Sequence, residues 1–241
     1  MVAATGVLGP IFSRMEAARD TERMRWTLHL GAKISVALAS FICFVLLVWG
    51  RPFIVCWMGA SYLDAYPPLV ALALGVTVAL WQSSSLQLLY GISKHGMFAI
   101  FNSTEGVANP IVSLLLVRHF GMLGVALGTV IPMMLIKLFV QPWYVCRTLQ
   151  FDLLEYYRVL GKSLCATVVA LLLPAALSLR FVVPNLATLF ALVIASLCCF
   201  VPVFYFLLFD QRERELMFSM LPVNAFAGRR GCVSRAGSHQ E

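Results

Sequence analysis

The stretch Phe98–Val117 reads FAIFNSTEGVANPIVSLLLV. As an α-helix it extends ~30 Å at 1.5 Å per residue, which matches the hydrocarbon thickness of a bilayer. Yet Glu105 lies near its middle, with Asn102 and Asn109 on either side. The rest of the chain decides how it is read. Hydrophobic residues make up 61% and charged residues 12% of the 241, and the mean hydropathy is +0.87, far above an average soluble domain. The sequence is that of an integral membrane protein, and the stretch is one of its spans.

Working outward from it, apolar runs long enough to span occur at Gly31–Trp49, Pro67–Gly91, Phe98–Val117, Met122–Trp143, Ser163–Leu179 and Leu186–Phe209. The fifth is the shortest and contains Pro174. The runs are continuous and do not alternate apolar with polar at period two, which selects helices over a barrel. The expected fold is therefore all-α: a polytopic bundle of six transmembrane helices preceded by an N-terminal partial helix. Residues 1–30 read as the end of a helix whose beginning is missing, followed by an amphipathic segment, SRMEAARDTERMRW, lying on the cytoplasmic membrane surface. Residues 31–143 form a four-helix group, 144–209 add two helices, and 210–241 form a basic tail expected to be disordered.

Lys and Arg are retained on the cytoplasmic side of membrane spans. Arg14, Arg19, Arg23, Arg25 and Lys33 precede or begin the first span. Lys94 lies in the second connection, and Arg147, Arg158 and Lys162 in the fourth. Arg212, Arg214, Arg229, Arg230 and Arg235 lie in the tail. The alternate connections hold only Arg51, Arg118 and Arg180, a division of 14 against 3 with Lys137 left inside a span. This asymmetry predicts cytoplasmic N- and C-termini and assigns the net charge of +7 to topology and anionic lipid. It gives no footprint for nucleic acid, because the basic residues are scattered over short loops.

Seven cysteines show no CxxC pattern and no histidine at metal-ligand spacing, so they read as small apolar fillers, with no disulfide or metal. The longest non-cytoplasmic connection, roughly Gly50 to Tyr66, holds a single carboxylate, Asp64. No catalytic triad, HExxH or phosphate loop is present. The chain is not expected to be an enzyme.

The informative residues are polar ones inside spans. Asn102, Glu105 and Asn109 are spaced by three and four, so they share one helix face, with Thr104 and Ser113 near it. A charge at a helix centre costs ~3 kcal/mol on insertion scales, so this face should turn to protein or water. Lys137, in the next span, comes to a similar depth if the hairpin turns near His119 and Phe120, and is a candidate partner for Glu105. Its alternative is to snorkel to the interface, and the alternative for Glu105 is packing alone. Gln82, with Gln87 and Ser83–Ser85, is a second polar patch, of a kind that also serves as interhelical glue. The sequon at Asn102 lies within a span and is discounted. Gly124 and Gly128 permit close helix approach, and Pro110, Pro132 and Pro174 predict kinks. Together these features describe a transporter or channel-like bundle.

Three stretches carry a more specific resemblance. They are GPIFSRMEAARDTERMR, GRPFIVCWMGASYLDAYPPLVAL and LLYGISKHGMFAIFNSTEGVANPIVSLLLVRHFGMLGVALGT. Their order over Gly9–Trp143 resembles the carboxy-terminal half of the polysaccharide transporter family. These are the O-antigen flippases of the multidrug/oligosaccharidyl-lipid/polysaccharide superfamily. The matching positions are Pro10 in the first stretch, Trp57, Gly59 and Tyr62 in the second, and Asn102, Asn109, Gly121, Gly124, Ala126 and Thr129 in the third.

The resemblance implies flipping of an undecaprenyl-diphosphate-linked oligosaccharide across the bacterial inner membrane for surface polysaccharide (O-antigen, lipopolysaccharide) biosynthesis. It implies no bound cofactor and coupling to a proton or sodium gradient. Lys137 would meet the diphosphate or sugars, and Glu105 would hold Lys137 or a coupling proton. Family members have twelve to fourteen spans, so a truncated or split form is expected, with a separately encoded amino-terminal half or polysaccharide-assembly proteins as partners beside membrane lipids. Two alternatives stand: a non-transporting membrane interaction or assembly subunit, and a multidrug-type cation exporter of the same superfamily.

Overall fold

The computed structural model describes residue 6, residues 8–178 and residues 185–208. Among the described residues there is no strand, and six helices are long and apolar enough to cross a membrane: Thr21–Trp57, Ala60–Gly91, His95–Phe120, Met122–Leu149, Leu153–Ala176 and Leu186–Leu207. Within the described residues, each of the six expected spans falls inside one of them, save Leu177, Ser178 and Leu208 at the ends of the last two. The chain is an all-α membrane bundle. The expected tail 210–241, Phe209, Leu179 and Arg180 lie outside the described residues.

A short helix α1 (Leu8–Ala17) comes first, then α2 (Thr21–Trp57), which is the first span. The second span is a 3₁₀ turn (Ala60–Ala65) leading into α3 (Tyr66–Trp81) and α4 (Ser83–Gly91), which meet at Gln82. α5 (His95–Phe120) is the third span. α6 (Met122–Leu135), a π-helical stretch (Ile136–Val140) and α7 (Gln141–Leu149) make the fourth. α8 (Leu153–Ser178) and α9 (Leu186–Leu208) complete the set. Pro110 and Pro174 lie within uninterrupted helices. Pro132, which has no N–H to donate, sits one turn before the π-helical stretch.

The segment expected as one surface helix is divided instead. α1 ends at Ala17, Arg19 takes a positive φ of 54°, and Asp20 caps the next helix by accepting from the Arg23 N–H at 3.1 Å. From Thr21 the chain runs unbroken for 37 residues, ~55 Å at 1.5 Å per residue, well beyond the hydrocarbon thickness. Thr21–Leu30 is thus the outer end of the first span, and its Met24 and Leu28 are 1% and 0% exposed. No helix breaker separates it from Gly31, so the helix runs on past the end of the apolar run.

α1 lies against α4, with Phe12 fully buried and Ser13 Oγ donating to the Gly91 carbonyl at 2.8 Å. A single apolar cluster then joins Phe12, Met24, Leu28, Leu88, Leu89, Val145, Cys146, Tyr156 and Leu160. This core draws on both the 31–143 and 144–209 regions. Beyond it, α3 packs between α2 and α6, and α5 packs chiefly on α6.

Candidate functional site

The α5–α6 hairpin turns at Gly121, whose φ of +56° is a conformation that suits glycine. Past the turn the two helices approach until a Cβ at Gly124 would strike the Leu116 carbonyl, and one at Gly128 the Ser113 backbone. This small-residue contact fixes the register of the polar groups between the two spans. Asn109 Oδ1 accepts from Thr129 Oγ1 at 3.3 Å and from Ser113 Oγ at 3.1 Å.

Two turns along α5, Lys137 enters from the π-helical stretch of the fourth span. Its Nζ donates to Asn102 Oδ1 at 3.2 Å, lies 3.6 Å from Glu105 Oε2, and sits 4.7 Å from the centroid of the Phe98 ring. Lys137 is 8% exposed, so its side chain points inward instead of snorkelling. Glu105 Oε2 accepts no hydrogen bond and is held by the ion pair alone. The Glu105 side chain is 21% exposed, and Asn102 lies on the exposed side of α5. The pair therefore sits at mid-span with one flank covered by α6 and the other open. Along the rest of α5, Ile100, Val107, Ile111 and Leu114 are exposed, a surface suited to lipid.

Gln82 belongs to a different cluster. Its Oε1 accepts from Tyr156 OH at 2.7 Å, and Tyr156 OH is 2.8 Å from Ser85 Oγ. Gln141 Nε2 donates to the Gln82 carbonyl at 3.3 Å. Ser83 Oγ lies 3.0 Å from Ser35 Oγ, which is 3.2 Å from Ser84 Oγ. Each of these residues is 8% exposed or less. The sequence directs attention to Gln82 but not to Tyr156, Gln141 or Ser35. Tyr156 falls in what reads as a charged connection, and its signal is the three-to-four-residue spacing Leu153, Tyr156, Leu160, Ser163, Thr167. Gln141 follows Lys137 by one turn.

The other predicted positions frame the bundle. Trp57 and Tyr62 are 68% and 53% exposed around the first connection, where Gly59 has a φ of +98°, and Pro10 lies in α1. A cavity of ≈ 740 Å³ between α3 and α6, lined by Val70, Leu74, Trp81, Val130 and Met134 among others, is apolar and includes none of the charged residues. Among the described residues, no three His, Cys, Asp or Glu are grouped to hold a metal ion.

Fold and site together define a polytopic helical membrane protein with a charged pair between its third and fourth spans. No protein-family model, curated protein or solved structure matches the chain.

Proposed function

We propose that the chain is part of a membrane transporter of the flippase kind, with Asn102, Glu105 and Lys137 on the wall of its polar path. The observation that carries this is the Lys137–Glu105 pair at 3.6 Å: mid-span, with the lysine and the paired oxygen buried and the Glu105 side chain partly exposed. A charge pair placed so in hydrocarbon needs a polar phase or further protein on its open flank. A buried ammonium suits an anionic headgroup better than a cationic drug, which disfavours a cation exporter. The order of the family-like stretches supports an undecaprenyl-diphosphate-linked oligosaccharide as cargo. The basic-residue asymmetry supports a bacterial inner-membrane location with cytoplasmic termini. The work needs no covalent chemistry: a polar path for the headgroup suffices while the lipid tail stays in the bilayer.

The test is Glu105→Gln in cells whose surface polysaccharide depends on this protein. Polysaccharide is expected to fall while the amount of protein in the membrane is unchanged; unchanged polysaccharide removes the path. The exchange Glu105→Lys with Lys137→Glu should restore part of what either single change removes.

One observation favours a second reading, a membrane-embedded assembly subunit. α5 is exposed along most of its length, and Gly106 on it faces open space. A partner helix seated there would cover Asn102 and Glu105. In that case Gly106→Leu would abolish assembly with the partner, and Glu105→Gln would weaken it without a transport defect of its own.

A further inference from the structure

The second span is broken inside the membrane at Gln82 (φ −87°, ψ 5°), with neither glycine nor proline at the break. Away from water, backbone groups released by such a break must find partners within the protein. Most do. Ser83 Oγ donates to the Leu80 carbonyl at 2.7 Å. The Gln82 carbonyl accepts from the Leu86 N–H at 3.0 Å and from Gln141 Nε2 at 3.3 Å. Two side-chain atoms at the break have no partner: Gln82 Nε2 and Gln141 Oε1. Both residues are 1% exposed.

We propose that this junction binds one water molecule, which accepts from Gln82 Nε2 and donates to Gln141 Oε1. The two atoms are complementary, one a donor and one an acceptor, and belong to residues already joined by the bond from Gln141 Nε2 to the Gln82 backbone carbonyl. The assignment at Gln141 is fixed, because its nitrogen is committed to a carbonyl and its oxygen must be the free end. Reversing the Gln82 amide would turn its nitrogen to Tyr156 and leave two acceptors, which a water satisfies by donating to both. Either orientation requires the same guest. Both atoms are buried without a protein partner, and groups of that kind are what interior water satisfies. The junction contains no carboxylate to favour a cation.

The water closes a ring: Gln82 Nε2 to water, water to Gln141 Oε1, Gln141 Nε2 to the Gln82 carbonyl. The ring joins the second and fourth spans, while Tyr156 and Ser85 tie the same glutamine to the fifth. It does not depend on what the protein transports. Because Gln141 lies one turn beyond Lys137, the ring also anchors the far end of the π-helical stretch that presents the lysine.

The decisive experiment is an electron cryomicroscopy map of the full chain in lipid nanodiscs, at a resolution that shows ordered water. A density peak about 2.7–3.2 Å from both amides is expected. An unfilled junction, or Gln82 bonded directly to Gln141 Oε1, would overturn the proposal. Thermal unfolding of Gln82→Met, Gln141→Met and the double variant gives an independent reading. The bond to the Gln82 carbonyl survives Gln82→Met, so the two side chains are coupled through the shared water. The double variant should lose less midpoint temperature than the sum of the singles; additive losses count against the water. Exchanging sodium for choline should leave the wild-type midpoint unmoved, and a sodium-dependent shift would assign the junction to a cation instead.

Discussion

Two polar clusters stand inside this membrane bundle, about one helical turn apart on the fourth span, and they are built in opposite ways. The Gln82–Tyr156 junction is neutral, buried and rich in hydrogen bonds, with Gln82 Nε2 and Gln141 Oε1 left for the proposed water. The Lys137 cluster is charged, and its Glu105 side chain is partly exposed. In hydrocarbon, neutral groups that satisfy one another act as cement between helices. A charge pair left partly open is costly to keep for packing alone. On the proposed reading, the contrast separates a cluster that holds the bundle together from one that lines a polar path.

The strongest test of that contrast is truncation on each side of it. Tyr156 is 1% exposed and touches two buried polar partners, so Tyr156→Ala should cost about 3–5 kcal/mol, as for other large core side chains. Unfolding of the purified chain in detergent reads this directly. Lys137→Ala should cost roughly 1–2 kcal/mol, because Glu105 is left with part of its side chain accessible. Equal losses would mean that the charged cluster is core as well, and the division would fall.

Next in size is the hairpin that brings the charges together. Gly124→Leu puts a side chain into the Leu116 backbone, and overpacking of this kind costs about 1–3 kcal/mol. The loss should be accompanied by separation of α5 from α6, seen as reduced cross-linking between cysteines introduced at Asn109 and Thr129. Loss of stability with cross-linking unchanged would show that the turn at Gly121 sets the register and the small-residue contact does not.

Much of this was legible from the residues, and unevenly so for physical reasons. Span positions follow from the length of apolar runs, because the bilayer fixes that length. The face shared by Asn102, Glu105 and Asn109 follows from helical periodicity, and the short turn at Gly121 places Lys137 beside it. The junction was harder to see. Ser can compete with a helix by bonding to nearby backbone, as Ser83 does with Leu80, but the same residue also occurs in unbroken spans. Tyr156 is flanked by Glu155 and Arg158, so its surroundings read as a solvated loop until the helix beginning at Leu153 turns it inward. The extent of α2 was hidden likewise, because Arg23 and Arg25 mark a membrane boundary while the helix runs through it.

The smallest expected effect lies at the closed end of the α5–α6 seam, where Asn109 meets Thr129 at 3.3 Å. These residues share a helix face with the charged pair but bond to each other and to Ser113, so they probe whether polarity on that face is enough for function. Hydrogen bonds between membrane helices average ~0.6 kcal/mol in double-mutant cycles. The cycle Asn109→Leu with Thr129→Val should return a coupling of about that size. Transport should be nearly unaffected, since the Gly124 and Gly128 contacts still hold the two helices in register. A transport loss as large as that of Glu105→Gln, with stability nearly unchanged, would extend the working surface along the whole seam. Coupling without a transport defect would confine that surface to the open flank around Glu105, where the accessible charge lies.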